Sequence, residues 1–478
     1  MSRRISFVLL FVLIAGALSL PAPTIAQDGG EGSPLPADYN GFRVQGRTLV
    51  APDGEVVVPV GVNKMVIWTD RDGMPAFPEI AQTGASAVRI VWLMEGSATE
   101  LDVAITNAIN HDLIPLIDCH DTTGEWEVFP ACVDFWVRPD VLAVIAKHED
   151  YLLLNIANEA DEGGLSDYEY RAGYEWAIKR LRAAGIRVPL IVDAPKWARN
   201  FEGLHKAAPY LMKVDPLQNV LFDIHIYHSQ QEYGYKVGEY IADVLTGFAE
   251  ENIPLIVGEF SNTAWQCKTG VPYLAVIETA HELGIGWFAW SWGPGNQDCA
   301  QMDMTADGTF AGLRDWGLEV ATTDPNSIQN VAVRPQHILD QPEIEPGFAA
   351  PPPGEPAADL VIEAVAWEPE ALAKGDNVTF SATITNQGTM PTDAPFRVQF
   401  EAKNEVVAWV DVTEPLESGA TITVAASDGP DGDGFWNDIR VGNFVLIIWV
   451  DSEGAVPEVD DNNNVFSAYG TAYSTRQE

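Results

Sequence analysis

Leu152-Leu153-Leu154-Asn155-Ile156-Ala157-Asn158-Glu159 and Pro254-Leu255-Ile256-Val257-Gly258-Glu259-Phe260 are the stretches whose reading decides the fold. Each is an apolar run that reaches a glutamate. A strand with one face in water alternates polar and apolar residues, whereas an unalternating Leu/Ile/Val run is buried on both faces, as in a parallel sheet. Six more segments read the same way: Val58–Asn63, Ala87–Trp92, Leu113–His120, Pro189–Ala194, Asn219–Tyr227 and Gly286–Trp292. Amphipathic stretches such as Tyr168–Gly185 and Val237–Asn252, ended by Gly or Asn, lie between them. Eight strands alternating with helices predict an α/β fold, a (β/α)8 TIM barrel over residues 41–335. A doubly wound sheet is the alternative, but no G-x-G-x-x-G follows the first strand.

In such a barrel the functional side chains sit where strands end. Polar residues gather there: Arg89 on the second strand, Asp118, His120 and Asp121 on the third, Asn158 and Glu159 on the fourth. His225, Tyr227 and His228 follow on the sixth, Glu259 on the seventh, Trp290 and Trp292 on the eighth. One polar strand end is commonly a cap; the same pattern on six strands is hard to explain structurally. Glu159 and Glu259 face each other across the expected mouth. Two carboxyls about 5–5.5 Å apart suit a retaining glycoside hydrolase, one as acid/base and the other as nucleophile. Arg89 and the Tyr227 hydroxyl are placed to keep the nucleophile ionised, and Asn158 to bind a sugar hydroxyl.

Taken together, the segments RIV (Arg89), DCHD (His120), NIANE (Asn158, Glu159), HIYH (His225, Tyr227), VGEF (Glu259) and WFAWSW (Trp290, Trp292) resemble glycoside hydrolase family 5, the cellulase family, over residues 41–320. The resemblance implies Glu159 as acid/base and Glu259 as nucleophile, with Arg89 and Tyr227 positioning the latter. It also implies that Asn158, His120, His225 and Trp290 line the central sugar subsite. HDTTGE (120–125) and WFAWSWGPGN (287–296) are similar to segments of the family's bacterial endo-β-1,4-mannanases. Ala160 stands where those enzymes usually carry an aromatic, and the first-strand segment Asn63–Trp68 departs from theirs. Mannan is therefore the first candidate backbone and β-1,4-glucan the second. A carbohydrate-binding or surface-adhesion protein without catalysis is the rival class, against which the intact carboxylate pair speaks. The chemistry requires no cofactor and no metal.

Trp68, Trp126, Trp197, Trp265 and Trp292 fall after strands and are candidate platforms for apolar sugar faces, with loop packing as the alternative. Arg3 and Arg4, the apolar run Ile5–Leu20 and Thr24-Ile25-Ala26 read as a signal peptide cut after Ala26. The run is short of the ~20 residues that span a bilayer, so an extracellular enzyme is expected. Export makes Cys119, Cys132, Cys267 and Cys299 candidates for two disulfides, with three connectivities open; Cys119–Cys132 with Cys267–Cys299 is the simplest. Residues 27–40 read as a spacer and 336–356 as a Pro-rich linker.

Beyond it, residues 357–472 hold seven alternating runs separated by turn residues, as expected for an immunoglobulin-like β-sandwich. TITNQGTMPTDAPFRVQF and VDDNNN resemble the CARDB family, a cell-adhesion-related bacterial domain; the resemblance implies no defined ligand, and polysaccharide or cell-surface components are the candidate partners. The acidic turn 428–434 and Asp460-Asp461 are candidate Ca²⁺ ligands, though turns in an acidic protein explain them equally well. The formal charge of −42 excludes nucleic acid and anionic membrane as partners but leaves neutral polysaccharide unaffected. A monomer is expected.

Overall fold

All eight apolar runs become strands: β1 Val60–Lys64, β2 Ala87–Trp92, β3 Ile114–Cys119, β4 Leu153–Asn155, β5 Leu190–Asp193, β6 Val220–Ile226, β7 Leu255–Phe260 and β8 Gly286–Ala289. In the computed structural model they close into one parallel barrel in chain order, with β8 against β1. The structure describes residues 35–474 except 235, 265–266, 349–356, 370, 403–404, 438, 440 and 460–463. The expected signal peptide, Trp265 and Asp460-Asp461 lie outside the described residues.

The strands are buried along their whole length, which is why their sequences do not alternate. The fourth is shorter than its apolar run suggests. Its ladder stops at Asn155, whose side-chain oxygen accepts the Ala157 N–H at 3.0 Å and turns the chain out of register. The Asn158 N–H then bonds the Cys119 carbonyl at 2.9 Å, and Glu159 takes φ +44°. The glutamate thus rides on a turn tied to β3.

The helices α1 Ala98–Ile109, α2 Asp167–Ala183 and α3 Val237–Glu250 pack outside the barrel. α1 and α2 each start with a reciprocal cap, Ser97 with Glu100 and Ser166 with Glu169, which satisfies backbone donors the first turn would leave free. Short strands at Arg43–Gln45, Thr48–Val50 and Val56–Val57 lie at the N-terminal end of the barrel. There the Val44 N–H bonds Asn219 Oδ1 at 2.8 Å. The opposite, C-terminal end is left for the site.

The expected linker from residue 336 is corrected in its first part. Gln336–Leu339 form a helical turn with Ile338 fully buried, and Ile344 and Phe348 pack on the barrel core. The Gly347 N–H donates to Asp102 at 2.6 Å, and Asn110 and Ile344 exchange two hydrogen bonds. Pro342, Pro346 and the polar residues between them give this stretch the look of a linker, but the apolar Ile338, Ile344 and Phe348 decide where it lies.

The seven C-terminal runs are β9 Leu360–Glu368, β11 Val378–Asn386, β12 Phe396–Ala402, β13 Glu405–Val412, β14 Thr421–Ala425, β16 Gly442–Val450 and β17 Val465–Tyr473. The short β10 Leu372–Ala373 and β15 Phe435–Trp436 are added to them. One sheet has the order β9-β11-β14 with β15 on β11; the other runs β10-β17-β16-β12-β13. Phe380, Phe400, Trp436, Phe444 and Leu446 fill the space between as a second core. α2 contacts β16, and Ile447 joins the barrel core. Among the described residues no helix is long and apolar enough to cross a membrane.

Candidate active site

Arg89 rises from the middle of β2 into the barrel and is wholly buried. Its Nη1 donates to Asn63 Oδ1 and to Glu259 Oε1, both at 3.0 Å, and its Nη2 to Asn158 Oδ1 at 2.6 Å. Asp118 closes the set, 2.9 Å from Nη2. Burial alone would lift the Asp118 carboxyl, but Arg89 and His120 outweigh it and hold it below the usual carboxylate range. One guanidinium thereby ties the ends of β1, β2, β3, β4 and β7 together.

Glu259 Oε2 accepts the Tyr227 hydroxyl at 2.7 Å. Burial pushes its carboxyl above the usual glutamate range, while His225 and Arg89 act in the opposite sense. Tyr227 stays a neutral donor, because burial and the nearby Glu259 and Glu159 charges raise its hydroxyl far above the ordinary value. Across the mouth, Glu159 Oε1 lies 2.6 Å from His225 Nδ1, which is itself 3.6 Å from Glu259 Oε2. Glu159, His225 and Glu259 present atoms all within 4.8 Å of one another. Carboxyls this close fit the short separation at which one of them attacks the sugar directly.

The wall beside this pair is aromatic. The His120 ring stacks on Trp290 with centroids 5.7 Å apart and planes 11° apart, and meets the edge of Trp68 at 5.6 Å. Asp118 orients His120 through Nδ1 at 3.1 Å, and Asn296 accepts the Trp290 indole N–H at 2.9 Å. Asn158 donates to Thr123 Oγ1 at 2.9 Å, so both ends of its amide are held. Trp292, expected at the sugar, is instead fully buried, with its indole N–H donating to the Gly308 carbonyl at 2.8 Å. Its neighbour Trp290 faces the mouth, so the next residue but one on a chain leaving β8 has turned into the core. Trp126 stacks on Phe129 at 4.3 Å and is a packing residue. Trp68 and Trp197 stay exposed.

Of the nine expected site residues, Arg89, His120, Asn158, Glu159, His225, Tyr227, Glu259 and Trp290 come to one place, and Trp292 does not. The fold also adds Asn63, Asp118, Asp193, Asp223 and Asn296, to which no role had been given. A signal existed for one pair: in VLFDIHIY, Asp223 and His225 are two apart on a strand and share a face. Both cysteine pairs form, Cys119 with Cys132 and Cys267 with Cys299, the second joining the loops after β7 and β8. In the acidic turn 428–434, Asp428 and Asp433 accept backbone N–H groups of Gly429 and Phe435.

Three groups of His, Cys and carboxylate atoms are close enough to hold a metal among the described residues. Cys119, Asp121 and Cys132 are taken up by the disulfide. The other two, Glu159-His225-Glu259 and Asp193-Asp223-His225, share one imidazole. Burial would lower its basicity, but Glu259, Asp223 and Glu159 raise it far above the ordinary histidine value.

A family model described as cellulase, glycosyl hydrolase family 5, matches residues 63–296, and a CARDB model matches 357–468. The mannan endo-1,4-beta-mannosidase of Cellvibrio japonicus is 30% identical over 303 residues, covering 61% of this chain and 68% of that protein. The chain belongs to glycosyl hydrolase family 5. The mannan endo-1,4-beta-mannosidase of Salipaludibacillus agaradhaerens is likewise 30% identical, covering 59% of this chain and 90% of that protein. The crystal structure of a Streptomyces thermolilacinus beta-mannanase with mannohexaose superposes with a TM-score of 0.57 at 27% identity, covering 63% of this chain and 100% of that one. As a family 5 glycoside hydrolase, the chain acts on O-glycosyl bonds.

Proposed function

We propose that this family 5 enzyme is an endo-β-1,4-mannanase that works by double displacement, with Glu159 as acid/base and Glu259 as nucleophile. The observation that carries this reading is the carboxyl pair joined through His225, with atoms within 4.8 Å, and supported on one side only by Arg89 and Tyr227. Two donors on Glu259 stabilise it as an anion; the asymmetry separates the roles of two otherwise identical side chains. Glu259 attacks the anomeric carbon while the Glu159 proton passes to the glycosidic oxygen, which departs with the electron pair. Water then donates a proton back to Glu159 and its oxygen to the anomeric carbon, releasing Glu259 and the sugar. Arg89 and Tyr227 release Glu259 from charge as the glycosyl ester forms and receive it again on hydrolysis. Asn158, His120, His225 and Trp290 line the sugar subsite, and no cofactor takes part.

The mannan backbone rests on the mannanase relatives. Residues 1–26 are proposed as a signal peptide, and the two disulfides fit an oxidising compartment outside the cell. The CARDB module is proposed to hold the enzyme to polysaccharide or cell-surface material, and the protein to be a monomer. The test uses galactomannan, glucomannan, carboxymethyl-cellulose, lichenan and xylan, reading reducing ends and product lengths. New reducing ends on the mannans, with oligosaccharides before monosaccharide and the β-anomer formed first, are expected. Faster cleavage of carboxymethyl-cellulose would move the enzyme to the glucanases. Glu259→Ala must abolish turnover, and full activity in that variant would overturn the assignment.

A further inference from the structure

Below the mouth, on the inner side of His225, lies a second acidic pair that the reaction as written does not use. Asp193 ends β5 and Asp223 sits in the middle of β6, and both are almost wholly buried. Asp223 Oδ2 lies 3.6 Å from His225 Nε2, and Asp193 Oδ2 lies 4.0 Å from the same atom. Among the described residues neither Asp223 Oδ2 nor His225 Nε2 has a hydrogen-bond partner, although each is buried and they face each other. Buried polar atoms are rarely left so without a reason.

The site has been made for this pair. Asp223 Oδ1 accepts the Gly258 N–H, and a Cβ at position 258 would stand 1.9 Å from Asp223 Oδ2. Only glycine at the residue before Glu259 leaves space for the carboxylate. Asp193 Oδ1 accepts from Asn155 Nδ2, and its Oδ2 accepts the backbone N–H of Glu159 at 2.8 Å. Asp193 therefore holds the turn that carries Glu159 while facing the ring that touches the Glu159 side chain.

We propose that Asp193 and Asp223 are positioning residues that keep His225 doubly protonated, so that its Nδ1–H occupies Oε1 of Glu159 and leaves Oε2 to carry the catalytic proton. This deepens the acid/base reading of Glu159 and rests on it. The alternative ring state shows why the pair matters. A neutral ring with a bare Nδ1 accepts from Glu159 Oε1, 2.6 Å away, and draws the proton to the oxygen that faces the barrel interior. The leaving group then meets a carboxyl with no proton on its side.

Anions on both edges of the ring remove that state. Nδ1 faces Glu159 from the end of β4 and Glu259 from β7, and Nε2 faces Asp193 from β5 and Asp223 on its own strand. Tyr227 donates to Glu259, and the positive Arg89 of β2 with Asp118 and His120 of β3 complete the surroundings. Five carboxyls around two permanent or induced cations cannot all stay ionised. Burial and the neighbouring Asp223 push the Asp193 carboxyl up to about 7, so Asp193 becomes charged as the pH rises past neutrality, the range in which its charge beside Nε2 is needed to hold the ring protonated.

The experiment is a pH titration of the ring nitrogens of His225 by ¹⁵N NMR on the whole protein without substrate, with the signal assigned by its loss in His225→Gln. The unmodified protein should keep both nitrogens in the imidazolium range well above the pH at which a free histidine loses its proton. In Asp223→Asn one nitrogen should lose its proton near neutral pH, because an anion has been removed from beside the cation. In the same variant kcat/KM on mannan should gain a new alkaline ionisation and fall about tenfold per pH unit above it. A neutral His225 at pH 6 in the unmodified protein, or an unchanged titration in Asp223→Asn, overturns the proposal. Asp193→Asn, which keeps an acceptor for the Glu159 N–H, provides a second variant if the first fails to fold. Because the NMR needs no turnover, a protein that failed on every polysaccharide but kept the imidazolium signature would sink the enzymatic reading and leave the ring state standing.

Discussion

Arg89 is the residue on which most of the site converges, and its energetics decide what replacing it does. A buried guanidinium with four acceptors is tolerable only because each N–H···O contact offsets lost hydration. Removing it takes from Asp118 and Glu259 the guanidinium they share, leaving only the imidazoles of His120 and His225 beside them. Arg89→Met is expected to cost about 3–5 kcal/mol of stability, the usual penalty for breaking one side of a buried ion pair. Thermal unfolding measures that loss. Turnover should fall by more than about a hundredfold, since the variant also strips Glu259 of a donor aimed at its charge. Arg89→Lys should recover little of either. An ammonium is a point charge on a flexible stem and cannot span Asn63, Asn158, Asp118 and Glu259 at once. Recovery of wild-type kcat in the lysine variant would show that charge alone is needed there.

At the scale of elements, the strands were open to reading and their turns were not. Eight unalternating runs mark eight barrel strands because burial on both faces leaves no position for a polar residue. The departures are local. The run 152–159 reads as one strand, yet Asn155 bonds the chain two residues on and ends the ladder early, an effect that hydrophobic pattern does not register. Trp292 reads like Trp290, and only the path of the chain after β8 sends one to the mouth and the other to the core. Asp193 and Asp223 look like interruptions in apolar strands; their purpose becomes visible only when β5 and β6 are set side by side. The loop after β5 carries a further consequence. Lys196, Trp197 and Ala198 all have positive φ, held by the Trp197 N–H to the Asp161 carbonyl at 2.7 Å and the Lys196 N–H to the Asp161 carboxylate at 3.2 Å. Three successive left-handed residues without glycine are costly and persist only where the surroundings impose them. Here they leave Trp197 39% exposed, lying on Gly124, whose N–H bonds the Glu159 carbonyl at 2.8 Å. The indole thus lies over the loop that is bonded to the backbone of Glu159. Trp197→Ala is expected to lower kcat/KM on mannohexaose about two- to tenfold, the worth of ~0.5–1.5 kcal/mol of ring stacking. An aryl mannoside, whose leaving group is too short to use the platform, should be cleaved at its former rate. Equal losses on both substrates would place the ring elsewhere in the cleft.

Over the whole molecule, the two cores are not independent. Ile447 of β16 is buried among barrel residues, Trp449 and Val465 pack beside it, and Tyr168 on α2 touches both cores. α2 is the helix that follows the turn carrying Glu159, so the sandwich is seated on the unit that presents the acid/base. The uniform acidity points the same way. A charge of −42 sets the two halves against each other at long range, so what holds them is short-range apolar contact that salt does not screen. Removing residues 357–478 should therefore lower the barrel's melting temperature and expose an apolar strip on α2, seen as increased dye binding and concentration-dependent association. Added salt should worsen that association, because screening removes the repulsion that keeps exposed strips apart. Cleavage of short mannan oligosaccharides should persist, since Arg89, Glu159, His225 and Glu259 make all their contacts within the barrel. A milder change separates packing from mere presence of the domain: Ile447→Asp buries a carboxylate at the seam and should reproduce the loss of melting temperature with the sandwich still attached. If truncation and Ile447→Asp both left the barrel's melting temperature unchanged, the contact on α2 would carry no stability and the two cores would be joined only through the chain between them.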